Sequence, residues 1–171
     1  MLMIPFYVSE LMRVYAWSIL LGDYGVINYF LMKLHIIKEP ITLLYTTFSV
    51  YLGLIYVYIL FMIFPLYSVL TELDDSLLEA ASDLGAGKAY TFLRVVLPFS
   101  ASGITSGCIM VFMLAVGTLS VPSILGGANV LWFIEIIYDN FFWQKNWNLG
   151  ATNAIMLVIA SLVVVYGLLS L

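Results

Sequence analysis

Residues able to do chemistry are few, and most lie in one short stretch. The 171-residue chain carries six Lys and Arg, ten Asp and Glu, one His and one Cys. Seven of the charged residues fall within 71–98: Glu72, Asp74, Asp75, Glu79, Asp83, Lys88 and Arg94. Their pattern is not that of a reacting centre. His35 has no neighbouring His or Cys, so neither a metal site nor a nucleophilic relay is supported. A single cysteine, Cys108, excludes an internal disulfide and a Cys-rich metal site, and beside Gly107 it reads as a small packing residue. Gly85-Ala86-Gly87-Lys88 has the ending of a phosphate-binding loop. Such a loop also needs Gly at 82 and Ser or Thr at 89, where this chain has Ser82 and Ala89. The chain therefore has no ATPase of its own, and the chemistry left to this stretch is recognition.

The stretch has an internal design suited to docking. Ser76 and Glu79 form an S-x-x-E capping box at a helix start, where the charges of Asp74 and Asp75 also favour the helix dipole. Leu77, Leu78, Ala81 and Leu84 follow at helical spacing on one side, and Gly85 supplies the stop. A second short helix is predicted over 87–95, with Tyr90, Phe92 and Leu93 as its large apolar groups. Pro98 sits where the following apolar run begins and a missing amide costs little. An amphipathic pair of this kind either lies on lipid or docks into a protein. A lipid-surface helix would carry Lys and Arg along its polar face, whereas this one is acidic in its first half, which favours a protein partner.

The elements that must hold this stretch are membrane spans. Of all residues 64% are hydrophobic and 9% charged, against roughly 25% charged in an average soluble domain. Mean hydropathy is +1.09. A soluble globule could not cover so much apolar surface, so a soluble enzyme and a disordered tail are excluded. The net charge of −4 argues against nucleic-acid binding. Between Glu39 and Glu72 lie 32 uncharged residues with an apolar heart at 48–70, and between Arg94 and Glu135 lie 40 more with a heart at 104–125. Residues 151–169 form another such run. Each is about the 20 residues a helix needs to cross the hydrocarbon core, and none alternates as a barrel strand would. A first span is predicted over 1–22, with Glu10 and Arg13 three residues apart and able to pair. It lacks the basic start and cleavage site of a signal peptide. The expectation is all-α: a polytopic transmembrane helical bundle of about four spans, joined at 23–47, 71–100 and 126–150. Gly103 and Gly107 suit close helix packing, within the chain or across to a partner. Lys88 and Arg94 in one join against Lys33, Lys38 and Lys145 in the others leave orientation undecided.

Glu79-Ala80-Ala81, three residues, Gly85, nine residues, then Val95-x-Leu97-Pro98 resembles the EAA loop of binding-protein-dependent ABC importer permeases of the MetI-like fold. The family spacing is kept throughout, with Val for Ile at 95. The stretches PLYSVLTELDDSLLEAASDLGA, GITSGCIMVFM and LGG (Leu125 to Gly127) are similar to the spermidine/putrescine permeases, B component. The resemblance implies a multi-pass inner-membrane permease domain over 1–171, with a cytoplasmic helix-turn-helix at 71–100 and the other two joins outside. It implies about four of the family's six spans, the first two being absent. The coupling residues would be Glu79, Ala80, Ala81, Gly85, Leu97 and Pro98, seated in a cleft of a separate ATP-binding subunit that holds the ATP and magnesium. The chain itself would bind no cofactor or metal. Its partners would be that ATPase, a second permease subunit or copy, a soluble substrate-binding protein and the lipid bilayer, with no nucleic acid.

The cargo implied is a polyamine, which needs carboxylates for its ammonium groups and aromatic rings for its edges. Glu10, Tyr7, Tyr15 and Trp17 on the first span, Asp23 just beyond it, and Glu135, Tyr138, Asp139 and Trp143 in the last outer loop are the candidates. Trp132, Trp143 and Trp147 also suit an interfacial belt. The third span offers only Thr118, Ser120 and Ser123, with Gly117 and Pro122 able to bend it. Such a span suits a neutral stretch of pathway or another cargo: ferric iron, thiamine, phosphonate or opine. A structural membrane protein, or an inactive fragment, docking a partner through the acidic loop is the remaining alternative.

Overall fold

In the computed structural model, which describes residues 8–170, the elements in chain order are α1 (Glu10–Leu21), α2 (Val26–Lys33), α3 (Thr47–Thr71), α4 (Asp75–Asp83), α5 (Lys88–Phe99), α6 (Ala101–Gly117), α7 (Phe133–Phe142) and α8 (Trp147–Leu169). No strand occurs among the described residues. The two longest helices follow the charge-free runs. α3 has 25 residues and α8 has 23, hence about 37 and 34 Å of rise, enough to cross a core of about 30 Å. Almost none of the most apolar window of α8 is buried within the chain, as expected of a helix facing lipid or another subunit.

The third span is not one straight rod. α5 and α6 meet at a 60° bend and pass as a membrane span only as a pair. Pro98 has no N–H to donate to the Arg94 carbonyl. The ladder widens before it, and the Leu97 N–H reaches back five residues to Phe92 O, making a π turn over Phe92–Val96. The second loop helix thus runs on to Phe99 rather than ending near 95. At its far end α6 stops at Gly117, and Pro122–Gly126 forms a second π turn.

The first span needs a correction. Val8 and Ser9 are not helical, and α1 has 12 residues, about 18 Å, too short to cross a bilayer. Residues 1–7, Tyr7 among them, lie outside the described residues.

The chain divides into two compact units: Met1–Val57 with Ala115–Leu162, and Tyr58–Leu114 with Val163–Leu171. The core of the first holds Val14, Leu21, Val50, Val57, Val121, Leu125 and Ile137. Its buried polar groups are stapled. Asn28, fully buried, donates to Gly22 O at 3.3 Å and Ile41 O at 2.9 Å and accepts from the Ile41 N–H at 3.0 Å. The Leu125 carbonyl accepts the Tyr45 N–H at 2.9 Å and the Ser49 hydroxyl at 2.8 Å. His35 ends α2 at φ +55°, while the next N–H, that of Ile36, reaches Leu31 O at 3.1 Å. Its role is to close a helix. In the second unit α6 lies directly on α3. A Cβ on Gly103 would stand 3.0 Å from Pro65 O, and one on Gly107 would stand 2.7 Å from Met62 Sδ. The small-residue step is therefore used within the chain.

Candidate functional site

In the second unit the acidic stretch forms two exposed short helices around a turn. Asp74 caps α4: its carboxylate accepts the Ser76 N–H at 2.9 Å. This replaces the expected Ser76–Glu79 box. The helix begins at Asp75, so Glu79 lies beyond reach of the first amides, and its carboxylate has no hydrogen-bond partner among the described residues. Glu79 is exposed. The Ser76 N–H holds the Asp74 carboxyl below the usual aspartate range. α4 closes as the stop at Gly85 requires. Gly85 has φ +78°, its N–H reaches Ser82 O at 2.8 Å, and the Ala86 N–H reaches Ala81 O at 3.0 Å. This paired closure needs a left-handed residue that glycine adopts without strain.

No residue of α4 is buried, and Leu84 is 88% exposed. Between α4 and α5 lies an open depression of about 590 Å³ lined by Ala81, Leu84, Gly85, Tyr90, Thr91 and Val95. Arg94 lies 5.9 Å from the Tyr90 ring centre, one helical turn on, within cation–π range of that wall. Of the six expected coupling residues, Ala81 and Gly85 line the depression, Glu79 and Ala80 lie exposed on α4, and Leu97 and Pro98 precede the bend.

In the first unit the structure brings together residues the sequence kept apart. Glu10, at the start of α1, accepts hydrogen bonds on Oε1 from Thr118 Oγ1 at 3.3 Å and from Ser120 Oγ, and the two hydroxyls lie 3.2 Å apart. Among the described residues its partners are these hydroxyls, 108 and 110 positions away, and not Arg13. Glu135 binds the same segment: its Oε1 accepts from Ser123 Oγ at 3.0 Å, while Oε2 accepts the Trp132 N–H at 2.9 Å and caps α7. The segment expected to be neutral thus carries two carboxylates, delivered from other helices. The last join is also not a loop. Residues 133–142 are helix α7, which places Glu135 and Asp139 one turn apart on one face.

The other candidates scatter. Tyr15 is exposed on α1 and Asp23 lies in the exposed turn after it. Trp17 packs edge-on against Tyr56 at 5.3 Å and, with Arg13, lines a depression of about 280 Å³ that none of these carboxylates enters. Thr118 and Ser120 are the site residues that the sequence underrated. Only their position, just past Gly117 and before Pro122, marked them. No group of metal-ligating side chains occurs among the described residues.

The family model of the binding-protein-dependent transport system inner membrane component matches residues 1–171. The chain belongs to this family. It is 40% identical over 159 residues to the spermidine/putrescine transport system permease protein PotB of Escherichia coli (strain K12), covering 93% of this chain and 58% of that protein. To the same-named protein of Haemophilus influenzae it is 40% identical over 168 residues, covering 97% of this chain and 59% of the relative. The inner membrane ABC transporter permease protein YdcU of Escherichia coli is 35% identical over 137 residues, covering 72% and 43%. The chain spans less than three fifths of the length of these relatives. It is a helical inner-membrane protein of a transport family.

Proposed function

We propose that the chain is a permease subunit of an ATP-driven importer that forms part of the solute pathway and takes up polyamines. The observation that carries the coupling role is the exposed pair α4–α5. It presents Glu79, exposed and without a hydrogen-bond partner among the described residues, beside a glycine-set turn, at the spacing the EAA pattern demands. Ala80 and Ala81 permit close approach to a groove, Gly85 turns the chain, and Pro98 with its π turn joins the loop to α6. A separate ATP-binding subunit, with its ATP and magnesium, would receive this pair from the cytoplasmic side. A second permease subunit and a soluble binding protein would complete the assembly. The cargo reading rests on the 40% identity to permeases named for spermidine and putrescine, and the carboxylates at Thr118–Ser123 suit a multiply cationic solute.

The test is co-purification with the ATP-binding subunit of the same transporter, together with uptake of labelled spermidine and putrescine. The wild-type chain should retain the ATPase and import polyamine. Gly85→Asp and Glu79→Lys should each lose both. Full association and transport in both variants would exclude the coupling role, and uptake of a phosphonate or ferric iron in place of polyamine would exclude the cargo.

A further inference from the structure

The geometry points to Glu10, with Thr118, Ser120 and the end of α6, as a binding site for a primary ammonium group of the cargo. This site rests on the polyamine reading and names the residues that would serve it. Two observations converge. The helix stops at Gly117, and the Thr118 N–H makes only a long, tight-turn bond to Ala115 O at 3.5 Å. The last carbonyls of the helix carry partial negative charge there, and a broken span is where membrane helices expose such carbonyls to cations. Glu10 adds a full negative charge at the same break, being hydrogen-bonded to the first hydroxyl after it.

The carboxylate is held but not used up. Oε1 takes both hydroxyl donors, whereas Oε2 has no hydrogen-bond partner among the described residues. Glu135 differs, because Ser123 and the Trp132 amide occupy both of its oxygens. It serves to cap α7 and tether 118–123, and it offers less to a ligand. Of the two carboxylates on this segment, Glu10 is the one built to take a cation. Thr118 and Ser120 donate to it and keep hydroxyl lone pairs turned elsewhere. An ammonium has three N–H donors, and the carboxylate and the helix-end carbonyls supply acceptors for them. Thr118 and Ser120 are positioning residues that fix which carboxylate oxygen faces the ligand.

The test uses the complete transporter in proteoliposomes, with its ATPase and binding protein. Glu10→Gln keeps the shape and the hydroxyl contacts but removes the charge. It should raise the KM for spermidine by about ten-fold or more, while ATPase association stays at the wild-type level. Ser120→Ala should raise KM by a few-fold and leave the maximal rate unchanged. A carbodiimide that labels membrane carboxylates should modify Glu10, read by peptide mass, and spermidine should protect it. This labelling needs no variant to fold. Wild-type KM in Glu10→Gln with polyamine still imported would overturn this site and leave the cargo reading standing. Protection by sodium or potassium alone would overturn it in favour of a metal cation. No polyamine uptake by the wild type would overturn both.

Discussion

Asp74 shows how one side chain sets the working surface. By taking the Ser76 N–H it starts α4 at Asp75, two positions earlier than a Ser76 cap would. That offset turns Glu79 from a capping group into an exposed one. Because the folded state lowers the carboxyl's pKa, its stabilisation is complete above the ordinary aspartate value. It fades as pH falls through the lower folded value, below about pH 3.9. Amide exchange at Ser76 should therefore accelerate in that acid range beyond its intrinsic dependence. Asp74→Asn, an equally good cap that does not titrate, should abolish the extra acceleration. The same slowing lost at all pH values in Asp74→Asn would show that charge, and not the cap, holds the turn. Gly85 is the second such residue. At φ +78° with no atom within 4 Å of a Cβ, Gly85→Val meets no clash but must adopt a left-handed conformation, costing about 1–2 kcal/mol. Loss of ATPase association in Gly85→Val without loss of membrane insertion is the expected outcome, measured by pull-down from solubilised membranes.

At the scale of elements, apolar runs were legible and breaks were not. The heart at 48–70 became α3, Thr47–Thr71, and the run at 151–169 became the body of α8. Hydrocarbon length alone dictates such helices. The short helical pair around Gly85 was legible too, because a glycine stop and an acidic helix start are local chemistry. The π turn at Phe92–Val96 was not. It is a response to Pro98 that periodicity does not report. α7 was missed because charges at Glu135 and Asp139 marked residues 126–150 as a join, although one face of that helix buries Ile137 and Asn140. Packing of α6 on α3 makes a sharp prediction. Gly107→Leu would drive a side chain into Met62, whose sulfur already stands 2.7 Å from a Cβ. It should destabilise the protein by about 1–3 kcal/mol, seen as a lower melting temperature in detergent, whereas Gly117→Ala, with open space around it, should leave that packing intact.

At the scale of the whole chain, the scarcity of charge acquires a meaning. Seven charged residues lie in the exposed stretch 71–98, and Glu10 and Glu135 converge on the segment after α6. Sequence alone could place the first set, since its residues are neighbours. It could not place the second, since the partners of Glu10 lie more than 100 positions away and no local spacing encodes that contact. Family membership, the exposed loop and the carboxylates are the grounds of the account proposed above, a polyamine permease driven through α4 and α5 by a separate ATPase. The most direct test is ATP-dependent uptake of labelled spermidine into proteoliposomes that hold the complete transporter. The account requires uptake with the wild-type chain and its loss in Glu79→Lys, with the variant chain still inserted in the membrane. Absence of spermidine uptake by the wild-type assembly, or undiminished uptake in Glu79→Lys, would contradict it.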